Sequence, residues 1–218
     1  AEHAADDVDA LLGAHVWGTL DAPLIDVSAG NRMAGADLFS IDVNGRSSHG
    51  GEPHMGMDAI SIGCAIVNNL QQCVSRMNDP LHPEVLTIGE FAGGPQFNVI
   101  SDHVWMQGTT RYFTRTPQIE GQMRRIIEQT AASFGADATL NYEYKSPAVV
   151  NSDSLMNRVA HDTVVKLFGN EALGNLPPMM GGEDFAQLVS AGTPTFFAFI
   201  GSRNAEKGIT HTNHQAQY

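Results

Sequence analysis

At 218 residues the chain has room for one large domain or two small ones, and 42% hydrophobic against 17% charged residues suits a globular protein with a sizeable core. The formal charge of −12, from 12 basic and 24 acidic side chains, excludes the basic footprint that nucleic-acid binding needs. No apolar run approaches the roughly 20 residues of a membrane-spanning helix, and no segment reads as a signal peptide, so a cytoplasmic setting is expected.

In chain order, residues 5–13 read as a weak helix or its tail, and Val16–Ile25 as loop and short strand. Residues 36–44 alternate apolar with polar, the pattern of a half-buried strand. A helix is predicted over 58–77, with Ala59, Ile62, Ile66, Asn69, Leu70 and Cys73 on one face and Asp79-Pro80 as its stop. Cys64 and Cys73, about two and a half turns apart, face roughly opposite sides, so a disulfide is not expected. Strands follow over 85–91 and 104–113. Pro117 stands at the favoured first turn of a second helix, whose inner face is Ile119, Met123, Ile126, Ile127 and Thr130. A last strand of this region covers 138–145.

The order from 36 to 145 is β-α-β-β-α-β, which closes on itself as a split βαβ, ferredoxin-like arrangement. The flanking material does not close. A helix over 153–168 capped by Ser152 or Asp153, a short helix over 184–191 and an apolar strand over 195–200 are too few to build a covered parallel sheet. The expected division is 1–34, 35–147 and 148–218, an α/β chain whose middle is an α+β domain.

Several residues are candidates for chemistry. His49 sits in a Gly-rich loop (Ser-Ser-His-Gly-Gly-Glu-Pro-His, 47–54), where a core role is disfavoured. His54, in the same loop, reads as a ligand-facing residue or as a cap for the next helix. His15 lies beside Trp17, either packed or presented. Asn98 follows a Gly pair and reads either as an amide aimed at a ligand or as a turn residue in the left-handed region. Arg111, near a strand end, is a solvated charge or a fork for a carboxylate. Glu183 and Asp184 follow Gly181-Gly182 at a helix start, as a cap or as carboxylates aimed into a site. His211 and His214 lie near the end of the sequence.

The combination is more specific than its parts. Gly-Ala-His-Val-Trp at 13–17, Arg-Ser-Ser-His-Gly-Gly-Glu-Pro-His at 46–54, Gly-Gly-Pro-Gln-Phe-Asn-Val-Ile at 93–100, Gly-Thr-Thr-Arg at 108–111, Gly-Gly-Glu-Asp-Phe at 181–185 and a closing His-x-x-x-Tyr occur in one order. Together they resemble the metallopeptidase/amidohydrolase family of aminoacylase and carboxypeptidases, in the branch of hippurate hydrolase and plant auxin-conjugate hydrolases. The resemblance implies an α/β catalytic domain with two divalent metals (zinc, manganese, nickel or cobalt) and an inserted ferredoxin-like lid that pairs two subunits. It implies hydrolysis of the amide bond of N-acyl amino acids or related small amides. By the same resemblance, His15 ligates one metal and His214 the other. His49 stabilises the oxyanion in the partner subunit's site. Asn98, Arg111, His54 and Glu183 belong to the substrate side, Glu183 on a loop near the metals.

The family's first metal motif and its Glu-Glu pair, which precede the His15 motif, are not in this sequence. The expectation is therefore that this polypeptide alone is not a competent hydrolase. The alternative reading is a non-catalytic dimerisation or carboxylate-binding module derived from the family.

Overall fold

The computed structural model describes residues 8–116, 118–189 and 193–215. Pro117, expected to open a helix, and Tyr218, the aromatic of the closing motif, lie outside the described residues. The elements in chain order are β1 (Leu11–Asp21), β2 (Ile25–Asp26), β3 (Gly30–Met33), β4 (Gly35–Asn44), β5 (Ser48–His49), α1 (Ala59–Gln72), β6 (Glu84–Gly93), β7 (Val99–Ile100) and β8 (His103–Tyr112). They continue with α2 (Ile119–Ser133), β9 (Asp137–Ser146), β10 (Val149–Asn151), α3 (Ser154–Phe168), α4 (Ala186–Val189) and β11 (Thr195–Arg203). The chain divides into two compact units: an inner one over residues 36–145, and an outer one from the flanking segments through Gly35 and from Ser146.

The inner unit is a four-stranded sheet in the order β6-β8-β4-β9. Strand periodicity decides its layering. On β8, Val104, Met106, Thr110 and Tyr112 are buried while Trp105, Gln107, Thr109 and Arg111 are half-buried. The buried side joins Phe39, Ile41 and Val43 of β4, Ile62, Ile66 and Leu70 of α1, and Met123 and Ile127 of α2 in one core. α1 starts where the Asp58 carboxylate accepts the Ile60 N–H at 3.0 Å, and its buried residues recur every three or four positions. After Gln72 it widens into a π-turn over Cys73–Met77. A bulge between Ile88 and Glu90 shifts the facing of β6, so that Phe91 rests over Gly63, where an added Cβ would lie 3.0 Å from the Phe91 ring.

In the outer unit, β1 pairs in parallel with β11, from Leu11 opposite Thr195 to Trp17 opposite Gly201, and β2 lies antiparallel on the other edge of β11. β10 pairs antiparallel with β3. The buried Asn151 side chain ties β10 to β11: its Nδ2 donates to the Ser28 and Phe197 carbonyls and its Oδ1 accepts the Phe197 N–H. Phe197 and Phe199 pack with Leu20, Met33, Val149 and Ala186, while Phe196 faces the opposite way with Val27, Val164 and Ala172. Arg32 and Asp26, 2% and 0% exposed, form a buried pair at 2.7 Å, and Asp26 also accepts the Ser28 and Leu176 N–H groups. α3 is capped by Asp153, which accepts the Met156 N–H at 2.8 Å.

Two sequence expectations fail here. Residues 11–21 are one strand, where a helix or its tail was expected to 13 and a loop with a short strand over 16–25; the parallel ladder with β11 overrides a short apolar stretch of mixed propensity. Gly13 belongs to that strand because a Cβ there would fall 2.7 Å from Phe197 and 2.8 Å from Phe185. The expected 184–191 helix is helical over Ala186–Val189 among its described residues. No described helix is long and apolar enough to cross a membrane.

Candidate functional site

The candidate residues are divided between the two units. In the outer unit, β1 carries His15 to a position where its ring centroid is 6.0 Å from that of His214 and 5.4 Å, edge-on, from Trp17. Trp17 in turn stands edge-on to Phe199 at 5.3 Å, so the sheet core backs the imidazole. His15 Nδ1 lies 2.6 Å from the Val16 carbonyl. A carbonyl only accepts, so Nδ1 carries the proton and Nε2 keeps its lone pair. His214 is the described non-glycine residue with a left-handed backbone, at φ 65°. Asn213, beside it, bonds back to β1 through both ends of its amide. Sequence reasoning did not single out Asn213; its only signal was its place next to a candidate ligand.

Glu183 is half-buried, with the Phe185 N–H at 3.5 Å from Oε1. Burial pushes its carboxyl above the ordinary glutamate range, a hydrogen bond with Asp184 adds to this, and the pull of His15 acts the other way. Among the described residues no three His, Cys, Asp or Glu side chains gather closely enough to hold an ion. His15 and His214 offer imidazole nitrogens, a donor type that suits zinc, nickel or cobalt, ions that take three or four ligands each.

In the inner unit, β5 and β7 form a two-stranded ladder that sets Ser48 opposite Ile100 and His49 opposite Val99. The Gly50 N–H donates to the Asn98 carbonyl at 2.8 Å, and a Cβ on Gly50 would lie 2.8 Å from that same oxygen. Glycine is thus what lets the His49 and Asn98 loops meet. His49 Nδ1 accepts the Gly51 N–H at 3.1 Å, so the neutral ring carries its proton on Nε2 and offers it to solvent from an exposed side chain. Asn98 is exposed with an ordinary negative φ; the left-handed residue of its loop is Gly94, at φ 93°. His54 sits exposed in a 3-10 turn over Pro53–Met55, and the cap of α1 is Asp58.

Arg111 is half-buried on β8 opposite Val85. It lies eight residues beyond His103, which follows β7 closely, or roughly 26 Å along an extended strand. One copy of the inner unit therefore brings His49 and Asn98 together and holds Arg111 at the opposite end of the sheet.

The sequence matches the model of Peptidase family M20/M25/M40 over residues 1–218. It is 38% identical over 150 residues to an N-acyl-L-amino acid amidohydrolase of Geobacillus stearothermophilus, covering 68% of this chain and 40% of that protein. It is 31% identical over 217 residues to an IAA-amino acid hydrolase of Arabidopsis thaliana, covering 97% and 49%. Among solved structures, a dinuclear metal binding peptidase from Bacillus subtilis aligns with a TM-score of 0.74 and 28% identity, over 91% of this chain and 49% of that one. The chain spans about half the length of the curated relatives it matches.

Proposed function

The chain belongs to Peptidase family M20/M25/M40, and on that premise we propose that it serves hydrolysis of the amide bond of N-acyl amino acids or related small amides. The observation that carries the reading is the His15–His214 pair, with His15 presenting a free Nε2. The names of the two relatives, an N-acyl-L-amino acid amidohydrolase and an IAA-amino acid hydrolase, support the substrate class.

His15 and His214 would each hold one of two divalent ions (zinc, manganese, nickel or cobalt), together with further donors, and Glu183 stands near His15. Such ions supply Lewis-acid polarisation of the carbonyl and a more acidic water. The rest is done by this chain's own groups. The outward Nε2–H of His49 donates to the oxyanion that forms when the carbonyl is attacked. Asn98 offers its amide to the carbonyl or carboxylate of the substrate, Arg111 forks onto the carboxylate, and His54 borders the same loop.

The separation of Arg111 from His49 and Asn98 supports a homodimer. Both can meet one substrate when they come from different copies. We assign the pairing to the inner unit, read as a ferredoxin-like lid at 35–147 between catalytic segments 1–34 and 148–218; the strand order β6-β8-β4-β9 supports that reading.

The test is turnover of N-acetyl and N-benzoyl amino acids by the protein charged with each of the four ions. This chain alone is expected to turn over little or nothing; in a form of the protein that does turn over, His49→Ala is expected to lower kcat by about 10²–10³ with little change in metal content. No metal uptake and no turnover with any ion would overturn the reading. A monomer at tens of micromolar in sedimentation, a concentration on the order of usual practice, overturns the dimer.

A further inference from the structure

We propose that Asn213 is a positioning residue: its side-chain amide latches the segment carrying His214 to the open edge of β1 and so sets the spacing of the His15 and His214 imidazoles. The purpose of that spacing rests on the metal reading above, whereas the latch itself stands on geometry.

β1 is paired with β11 along one edge. Backbone groups of residues two apart on a strand point to the same edge, so Val16 and Gly18 form a donor–acceptor couple of the kind a neighbouring strand would use. Asn213 supplies that neighbour with a side chain. Its Nδ2 donates to the Val16 carbonyl at 2.5 Å, and its Oδ1 accepts the Gly18 N–H at 2.7 Å. A planar amide meets both groups in one placement only, which fixes where the next residue begins.

Two further observations tie the latch to the histidines. The Val16 carbonyl also accepts the Nδ1 proton of His15, and Asn213 Nδ2 lies 3.5 Å from that nitrogen. One oxygen, with two lone pairs, therefore orients both His15 and Asn213. On the other side, His214 is held in the left-handed region, a conformation that a side chain with a Cβ disfavours and that persists only where its surroundings impose it. The two-point bond of the preceding residue is such an imposition. The chemistry also explains the choice of asparagine. Aspartate keeps an acceptor for Gly18 but sets a carboxylate oxygen against the Val16 carbonyl. Alanine removes both bonds.

The experiment is NMR of the whole, uniformly ¹⁵N-labelled chain, for wild type, Asn213→Ala and Asn213→Asp, each titrated with Zn²⁺ alone. In wild type, a ring-to-ring NOE between His15 and His214 is expected, and both imidazoles shift over one range of Zn²⁺. Both variants are expected to lose the NOE and to need at least about tenfold more Zn²⁺ for the His214 shift; the Gly18 amide and its immediate neighbours respond to the changed acceptor, and the remaining β1 and β11 amides stay unmoved. A merely structural role would move those amides instead. Persistence of the NOE and of the joint shift in Asn213→Ala overturns the proposal. If wild type shows the NOE but neither ring responds to Zn²⁺, the metal reading fails and the NOE in the variants alone decides the latch. Should the variants not fold, hydrogen exchange in wild type decides it: a protected Gly18 amide supports the latch, and a freely exchanging one overturns it.

Discussion

The two units spend their apolar residues differently. The inner unit gathers the inward side chains of all four strands and both helices into one continuous core, from Phe39 and Ile41 to Met123 and Ile127. The outer unit has two smaller clusters, on opposite faces of a three-stranded sheet. It leaves Leu12 75% exposed and Val16 and Ile200 partly bare, and an apolar groove of about 620 Å³ runs between β1, β11 and α3, lined by Leu12, Ala14, Leu155, Val159, Phe196 and Ala198. A sheet with one helix-covered face closes a core economically. A parallel pair needs cover on both faces, and here α3 gives partial cover to one. Both units add polar ties to their cores: the Arg32–Asp26 pair and the Asn151 side chain in the outer unit, and in the inner one the buried Asp37, which accepts from Arg115, Tyr142 and the Lys145 N–H.

That contrast predicts different sensitivities. The largest effects are expected from the two anchors. Phe39→Ala, at 1% exposure in the inner core, should cost about 3–5 kcal/mol in denaturant unfolding. Asp26→Ala leaves a buried guanidinium unpaired and should cost about 3–5 kcal/mol, in the outer unit. Followed by separate Trp105 and Trp17 fluorescence, the two substitutions should move different transitions; a single transition shifted equally by both would break the comparison.

Helix caps come next, one in each unit. Asp58→Ala and Asp153→Ala remove bonds to the Ile60 and Met156 N–H groups, and each should cost about 0.5–2 kcal/mol. An equal loss in the two units would show that local capping is indifferent to the core behind it.

A smaller, pH-dependent effect separates the units further. Burial raises the Glu84 carboxyl, against the pull of a hydrogen bond from Thr116, and its Oε1 has no partner among the described residues. The folded state therefore holds this proton more tightly than the unfolded chain, and Glu84 favours folding in acid. That contribution is lost as pH rises from the ordinary glutamate value through the raised one. Glu84→Gln should flatten this part of the melting curve of the inner unit between acid and neutral pH; an unchanged slope would assign it elsewhere. The smallest effect is expected at the groove: Leu12→Ser should change stability by no more than about 0.5 kcal/mol, read by the same unfolding.

The inner unit was readable because its signals are periodic and local. The stripe Ala59, Ile62, Ile66, Leu70 and the alternation of 36–44 each encode which side faces inward, and the structure buries those side chains. Asp153 announced α3 in the same way. β1 was misread because a strand whose partner is β11, more than 180 positions away, carries no local mark of that pairing. β5 and β7 are two residues each and exist only as a ladder.

The sequence by itself determined the alternation and the helical faces, the glycines that permit close approach, and the set of ordered motifs that resemble a hydrolase family. These are properties of residues near one another along the chain, where rotamers, propensities and side-chain size act directly. Only the tertiary structure decided that His15 lies beside His214, that the His49 and Asn98 loops meet at the small β5–β7 ladder while Arg111 stands on β8 of the four-stranded sheet, and that Asn213 bonds to β1. Those neighbours are set by ladder registers and side-chain latches between distant segments, and a hydrogen bond across such a gap has no counterpart in local sequence pattern.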